Sequence, residues 1–221
     1  MIRSVHSILG SEDEFVANTY IVVFDNNDCL VVDPAHLNKS VSNYIGKNNL
    51  KLVGILLTHG HYDHFQGLEL VLKKYPKTPV YIGQYDECQL RDENLNLSAL
   101  WPDKNRHTEL KTPVKSLIEG PLVINNHSLF VIETPYHTLG GVVYYFKEDN
   151  IAFTGDSLFK GCIGRFDLPH SAPRETKGSV VKMVEGISDE TTIYPGHGEK
   201  TTMGEEKKDN MFLLRFLRSS K

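Results

Sequence analysis

The feature that most constrains this chain is a short apolar run that ends in a cluster of polar residues. Residues 52–57 read LVGILL, a length and composition typical of a strand buried on both faces. The chain then continues as THGHYDH over residues 58–64. Because a strand covered on both faces needs further layers of structure around it, the run predicts an α/β architecture with polar side chains gathered where the strand ends.

The rest of the chain gives an ordered series of strands and helices. Short apolar segments bounded by turn residues predict strands at 20–24, 29–32, 52–57, 80–82, 121–124, 128–133, 142–146, 151–154 and 191–194. Helical spacing predicts helices at 38–49, 65–75, 174–186 and 205–218. The polar residues 84–119 are expected to form a helix and an irregular loop that overhangs a site. This order indicates two packed sheets with helices outside, in a single domain over residues 1–221.

Composition narrows the class of protein. A length of 221 residues with 40% hydrophobic content allows a proper core, and a net charge of −4 disfavours nucleic acid as the main partner. The odd count of three cysteines argues against a disulfide framework and for a reducing compartment. No run approaches the roughly 18 apolar residues of a membrane span. We therefore expect a soluble cytoplasmic protein that does not act at a membrane.

The segment 58–64 carries the chemistry. His59, His61, Asp63 and His64 place four potential metal ligands within six residues. Imidazole and carboxylate ligands suit Zn, Fe or Mn, and the lack of thiolates argues against a structural zinc site. Because the adjacent Asp63 and His64 cannot easily join both other histidines around one ion, the crowding favours two ions.

Three further candidates follow other predicted strands. His137, Asp156 and His197 each lie beyond the end of a strand, flanked by Gly or Pro, where the backbone can turn tightly. A carboxylate such as that of Asp156 can bridge two cations with its two oxygens. The remaining histidines are expected to be ordinary solvated or hydrogen-bonded side chains: His6, His36, His107, His127 and His170.

These residues resemble the metallo-β-lactamase superfamily, and within it the short single-domain members of the glyoxalase II group, the hydroxyacylglutathione hydrolases. The resemblance is carried by THGHYDH at 58–64, TGDSLF at 154–159, GRFD at 164–167 and PGHG at 195–198. It implies a four-layer αββα sandwich, an α/β (α+β) fold with the metals at one edge. It also implies two divalent ions, zinc first, with iron or manganese as alternatives. The implied ligands are His59, His61 and His137 for one ion, and Asp63, His64 and His197 for the other, with Asp156 shared.

The resemblance implies hydrolysis of a small-molecule thioester, such as S-lactoylglutathione, by a water whose pKa the two cations lower. Asp63 and Asp156 are then the catalytic carboxylates. Arg165 is expected to bind a substrate carboxylate, with Lys160 and Tyr136 as weaker candidates for substrate contact. Tyr136 directly precedes the third histidine, where its ring could narrow the entrance.

Other activities of the same fold stay open at this point. An iron-dependent persulfide dioxygenase would need only His59, His137 and Asp156, and the complete second ligand set disfavours it. Lactonases and phosphodiesterases share the motif. A β-lactamase is less favoured, because Asp156 stands where many of those enzymes place a cysteine. A pure binding module is the weakest alternative.

Overall fold

The chain folds into two β-sheets and a set of short helices. The computed structural model describes residues 1–11, 16–100 and 110–218. The strands in this part of the chain are β1 (Ile2–Ile8), β2 (Thr19–Phe24), β3 (Asp28–Val32), β4 (Lys51–Leu56), β5 (Val80–Gly83), β6 (Lys115–Leu117), β7 (Gly120–Ile124), β8 (His127–Glu133), β9 (Val142–Phe146), β10 (Ile151–Gly155), β11 (Thr192–Pro195) and β12 (Thr201–Thr202). The α-helices are α1 (Ser40–Lys47), α2 (Tyr62–Phe65), α3 (Leu68–Lys74), α4 (Thr176–Gly186), α5 (Met203–Asp209) and α6 (Met211–Arg218). Shorter 3₁₀ helices lie at Gln84–Arg91, Ser98–Leu100, Lys147–Asp149 and Pro173–Glu175.

The strands divide between two mixed sheets. Their spatial orders are β1-β2-β3-β4-β5-β6 and β12-β11-β10-β9-β8-β7. In the first sheet β3 to β6 run parallel, and in the second β10 and β11 form the parallel pair. The sheets stack face to face with helices on both outer faces, which confirms the predicted four-layer sandwich. Within the described residues, no helix combines the length and apolarity needed to cross a bilayer.

Successive side chains of a strand point to opposite faces of the sheet, so neighbouring residues lie in different layers. In β2, Ile21 and Val23 pack against α1 and α3. Tyr20 and Val22 point the other way, into the layer between the two sheets. The outer face of the second sheet packs on α4, α5 and α6 through a third apolar layer that includes Ile132, Val143, Ile193, Val180, Met183, Met203 and Leu213. In β4, Ile55 lies in the layer against the helices, and Val53 and Leu56 lie in the layer between the sheets. Both faces of β4 are therefore covered, as its continuous apolar run predicted.

All predicted strands are present, with ends that lie within one residue of those expected. Strands β1, β6 and β12 were not predicted. β1 is an edge strand whose residues are largely exposed or half-buried, so its sequence lacks the apolar pattern of a buried strand. Of the polar segment 84–119, the structure has two 3₁₀ helices and β6. Residues 101–109 of this segment lie outside the described residues, so the overhanging loop stays a prediction.

The helix predicted at 205–218 is two helices, α5 and α6, and the prediction of one continuous helix is wrong. The break lies at Asn210, whose side-chain oxygen accepts hydrogen bonds from the N–H groups of Phe212 and Leu213 at 3.0 and 3.2 Å. Its amide group donates to the carbonyl of Cys162 at 3.1 Å. Because the side chain offers the backbone an alternative to the helical ladder, one helix ends and the next begins here.

One edge of the sandwich collects the carboxyl ends of β3, β4, β8, β10 and β11. β3 and β4 are parallel, as are β10 and β11, and β8 and β10 are both antiparallel to β9. Backbone hydrogen bonds tie the two sheets together at this edge, including one from Val142 N to Thr58 O at 2.9 Å. The loops that leave these strands therefore meet.

Candidate metal centre

Seven side chains lie close together at this edge, just beyond the ends of the strands: His59, His61, Asp63, His64, His137, Asp156 and His197. The first four follow β4 and extend into α2, and the other three follow β8, β10 and β11 in turn. The structure thus brings together every residue that the sequence predicted as a metal ligand. Their ligand atoms form overlapping groups in which all members lie within 4.8 Å of one another.

The first group consists of His59, His61 and His137. His61 Nδ1 lies 3.1 Å from His59 Nε2 and 3.0 Å from His137 Nε2. All three side chains are buried. Neutral imidazoles that direct lone pairs toward one another repel, whereas a cation between them would accept all three. The arrangement suits one metal ion.

The second group consists of Asp63, His64 and His197. Asp63 Oδ2 lies 3.1 Å from His197 Nε2 and 3.7 Å from His64 Nε2. His64 is fully buried, whereas Asp63 and His197 remain 22% and 24% exposed. This group therefore forms the side of the cluster that solvent and small molecules can reach.

Asp156 lies between the two groups. Its Oδ2 is 3.3 Å from His137 Nε2 in the first group. Its Oδ1 is 3.2 Å from His64 Nε2 and 3.8 Å from His197 Nε2 in the second. One carboxylate thus presents one oxygen to each group, which is the arrangement a bridging ligand needs.

The donor set fits a pair of divalent cations. Among the described residues, His64 Nε2 and Asp156 Oδ1 are buried without an aligned hydrogen-bond partner. Leaving such atoms unsatisfied costs about 1–3 kcal/mol each, so a ligand that engages both would be stabilising. Imidazole nitrogens and carboxylate oxygens are the ligands that Zn, Fe and Mn share, and ligand type alone leaves the metal open.

The electrostatics of the cluster agree with this fit. Burial, together with the neighbouring histidines, holds the pKa of His59 well below its usual range and lowers that of His61 to about 4. Burial opposes ionisation of Asp63 and Asp156, but the nearby histidines outweigh it and lower both pKa values. Burial likewise opposes a charge on His64, yet Asp63 and Asp156 raise its pKa well above 6.5. A bound cation would replace the proton of His64.

Hydrogen bonds behind the cluster fix the orientation of the imidazoles. His59 Nδ1 lies 3.1 Å from Thr58 Oγ, and His137 Nδ1 lies 2.7 Å from the carbonyl oxygen of Arg165. When each Nδ1 donates outward, the Nε2 lone pair is left facing the cluster. Such outer partners set the tautomer and raise the basicity of a metal-binding histidine.

Two residues that hold the cluster were not predicted to do so. No role in the site was predicted for Asp33, which directly follows β3, or for Asn18, which directly precedes β2. The Asn18 side chain donates to the carbonyls of Pro195 at 3.2 Å and Gly198 at 3.0 Å, and so holds the loop of His197. Both residues lie beside strand ends at the edge that carries the site. This position is the sequence signal that could have identified them as candidates.

The predicted substrate residues have different surroundings. Tyr136 is 0% exposed and its hydroxyl donates to the carbonyl of Ser157, so the prediction that its ring narrows the entrance is wrong. The Arg165 side chain lies at the surface in a bidentate ion pair with Asp167 at 2.7 and 2.9 Å. Lys160 lines an open cleft of about 500 Å³ that borders His197.

The other histidines within the described residues make ordinary contacts. His6 stacks on the ring of Tyr44, and His36 Nε2 lies 3.1 Å from the carbonyl of Ile8. His127 bonds to the carboxylate of Asp28, and His170 to the carbonyl of Tyr85. His107 lies outside the described residues. Those four contacts match the ordinary hydrogen-bonding and packing roles expected for these side chains.

A sandwich of this topology, with clustered histidines and aspartates at one edge, defines a candidate metalloprotein. The family model described as the metallo-β-lactamase superfamily matches residues 13–197. The chain belongs to the metallo-β-lactamase superfamily, whose proteins bind divalent metal ions.

Relatives of similar length carry hydrolase names. A probable metallo-hydrolase of Bacillus subtilis, YqgX, is 34% identical over 90% of this chain and 93% of its own. A probable metallo-hydrolase of Streptococcus pyogenes, M6_Spy0554, is 33% identical over 88% and 84%. The hydroxyacylglutathione hydrolase GloC of Haemophilus influenzae is 29% identical over 90% and 93%.

Solved structures agree with the fold. The BLEG-1 B3 metallo-β-lactamase superposes with a TM-score of 0.85 at 29% identity, covering 95% of this chain and 99% of its own. TTHA1623, solved in a di-iron-bound form, gives a TM-score of 0.80 at 28% identity, covering 94% and 99%.

Proposed function

We propose that this protein is a dinuclear metal-dependent hydrolase that cleaves thioesters, with glutathione thioesters such as S-lactoylglutathione as the substrate class. The single observation that carries the proposal is the position of Asp156, which offers one oxygen to each of two complete ligand groups. The similarity to GloC, named a hydroxyacylglutathione hydrolase, supports the thioester. His59, His61 and His137 would hold one ion, and Asp63, His64 and His197 the other, with Asp156 shared.

A pair of divalent cations, when bound, supplies a nucleophile at neutral pH by lowering the pKa of water and acts as a Lewis acid toward a carbonyl. Asp63 is the more exposed of the two carboxylates in the cluster, and its lowered pKa keeps it ionised. It can therefore accept a hydrogen bond from the attacking water and orient it. The thiolate leaving group needs little protonation, because an ordinary thiol has a pKa of about 8.5.

The thiol part of the substrate would bind in the cleft beside His197. Its walls come from the loops after β10 and β11 and consist of Phe159, Lys160, Cys162, His197, Gly198 and Glu199. Lys160 Nζ lies 2.7 Å from Glu199 Oε2, and both side chains are largely exposed. Each of these two side chains can leave the other and pair with an oppositely charged group of a peptide-like thiol that enters the cleft.

The decisive experiment measures metal content and hydrolysis on the same samples. Wild-type protein is expected to hold two divalent ions per chain and to hydrolyse S-lactoylglutathione, and chelation should abolish turnover until metal is restored. Asp156→Ala removes a ligand itself, so it should lower turnover by more than the about 10- to 100-fold that is typical when an outer-shell partner of a ligand is lost. Asp209→Ala, the same substitution at an exposed position on α5, is the matched control and should leave turnover unchanged.

Three outcomes would overturn the proposal. Undiminished turnover after chelation and in Asp156→Ala would show that metal takes no part in the reaction. Hydrolysis of a β-lactam, a lactone or a phosphodiester without hydrolysis of thioesters would assign a different substrate. Oxygen consumption with glutathione persulfide, in protein that holds a single iron, would assign a dioxygenase instead.

A further inference from the structure

A buried carboxylate outside the seven-residue cluster has no part in the chemistry described so far. Asp86 lies in the 3₁₀ helix Gln84–Arg91, directly after β5, and is 0% exposed. A buried carboxylate is costly unless hydrogen bonds compensate for the lost water. The donors that compensate Asp86 come from loops that are distant in sequence.

Those donors belong to the two loops that carry the first group of histidines. Asp86 Oδ2 accepts hydrogen bonds from Gly60 N at 3.0 Å and from Thr138 Oγ at 2.7 Å. Asp86 Oδ1 accepts one from Gly140 N at 2.6 Å. Gly60 lies between His59 and His61, and Thr138 directly follows His137. One carboxylate thus joins the loop after β4 to the loop after β8.

The two loops lie directly on the 3₁₀ helix. A Cβ atom on Gly60 would lie 2.5 Å from Gln89 Oε1, and one on Gly140 would lie 2.3 Å from Asp86 N. Any side chain at either position would push the loop away from the helix. The two glycines therefore permit the close approach that the Asp86 carboxylate then fixes.

We propose that Asp86 is a positioning residue for the first metal ion, because its carboxylate sets the spacing between the His59–His61 loop and the His137 loop. This inference rests on the proposed metal centre. All three donors to Asp86 lie in the loops of the first group. His170 Nε2 also lies 3.5 Å from Asp86 Oδ1, but it belongs to neither loop. Loss of the carboxylate should therefore weaken the first ion more than the second.

An amide cannot replace this carboxylate. The three donors approach both oxygens of Asp86, and Asn retains only one acceptor oxygen. In Asp86→Asn the NH₂ group must face at least one N–H donor, either that of Gly60 or that of Gly140. One of the two loops then loses its anchor, whichever way the amide is turned.

The test compares Asp86→Asn with Glu87→Gln in metal-loaded protein. Glu87 is the adjacent acid, partly exposed, and bonds to Ser116 and Arg91 away from the cluster. Cadmium-substituted protein gives one ¹¹³Cd NMR resonance per ion, and titration with a chelator gives an affinity for each. Asp86→Asn should weaken the ion held by the three histidines by about 10- to 100-fold, as is typical for outer-shell partners of metal ligands. Glu87→Gln should leave both resonances and both affinities unchanged.

A second variant covers the case in which Asp86→Asn does not fold. Thr138→Val keeps the size of the side chain and removes one of the three hydrogen bonds, so it should weaken the same ion to a smaller extent. If Asp86→Asn and Thr138→Val each bind two ions with wild-type affinity, the positioning role is overturned. The proposed metal centre would not be affected by that result. Wild-type protein that binds no ion would overturn the proposed function itself, so the two failures are distinguishable.

Discussion

Asp33 Oδ2 lies 2.9 Å from Nδ1 of His64, a member of the candidate metal centre, and both side chains are buried. The same carboxylate accepts hydrogen bonds from the N–H and the hydroxyl of Thr58 at 2.8 and 2.7 Å. Thr58 Oγ in turn lies 3.1 Å from His59 Nδ1. A single carboxylate therefore orients one histidine from each of the two ligand groups.

Asp33→Asn should consequently weaken both ions. The amide of Asn can place an NH₂ group against His64 Nδ1 or against Thr58 N, and either placement removes an acceptor. Affinity for metal should fall by about 10- to 100-fold, and turnover should fall with it unless metal is in excess. Chelator titration followed by elemental analysis measures the affinity. Asp209→Asn, exposed on α5, is the control. Wild-type affinity in Asp33→Asn would contradict the orienting role.

Asn18→Ala should loosen the loop that carries His197. The Asn18 amide group bonds the carbonyls on either side of this loop, at Pro195 and Gly198. Its loss leaves two carbonyls without these partners and frees His197 to move, so the second ion should bind more weakly while the first is retained. ¹¹³Cd NMR should report the loss of one resonance.

The control for this prediction is Asn43→Ala, at an exposed position on α1. It removes the same side chain far from the cluster, so metal content and turnover should stay at the wild-type level. Equal retention of both ions in Asn18→Ala and in this control would show that the His197 loop holds its position without Asn18.

Tyr136→Phe should affect stability rather than substrate binding. The Tyr136 hydroxyl is fully buried and donates to the carbonyl of Ser157, next to Asp156 in the chain. Removing one buried hydrogen bond should lower the free energy of unfolding by about 0.5–1.5 kcal/mol, or somewhat more because the carbonyl is left unpaired. Urea denaturation measures this change. KM for a thioester should stay the same, and a raised KM with unchanged stability would restore the substrate role for Tyr136.

Lys160→Ala and Arg165→Ala should differ in their effect on KM. Lys160 lines the cleft beside His197, whereas the Arg165 guanidinium is already paired with Asp167 at the surface. Because solvent screens an exposed charge, the contribution of Lys160 is small, and its loss should raise KM for an anionic thioester about two- to fivefold with kcat retained. Loss of Arg165 should change KM less. The reverse order in steady-state kinetics would assign the carboxylate contact to Arg165.

The sequence predicted much of this site because its ligands follow apolar strands directly. The end of a buried strand fixes where His59 or Asp156 must lie, and parallel strand ends meet at one edge. The role of Asp86 could not be predicted in this way. Two of its three donors are backbone N–H groups, those of Gly60 and Gly140, and a backbone donor cannot be identified from the sequence. The burial of Tyr136 was missed for a related reason, because it depends on packing against residues of α4 and the loop after β10 rather than on local pattern.

Another buried carboxylate, that of Asp28, joins the two sheets at the opposite end of β3. It accepts hydrogen bonds from Asn125 at 2.6 Å and His127 at 2.9 Å in the second sheet, and from Asn26 at 2.8 Å. Burial opposes ionisation of Asp28, but these hydrogen bonds outweigh it and lower its pKa. A carboxyl group with a lowered pKa stabilises the fold above its unfolded pKa of about 3.9, and this stability is lost as the pH falls through the folded value.

Asp28→Asn should therefore destabilise the protein at neutral pH and matter less in acid. At pH 7 the free energy of unfolding should fall by about 1–3 kcal/mol, because donors from both sheets lose a charged acceptor. The difference from wild type should shrink as the pH falls below about 4, where Asp28 of the unfolded chain takes up a proton, and should continue to shrink until the pH passes the lowered pKa of folded Asp28. Urea denaturation across pH 3–7 measures this, with Asp25→Asn as the control, since Asp25 is 63% exposed. A difference that stays constant over this range would mean that Asp28 acts through its shape and not through its charge.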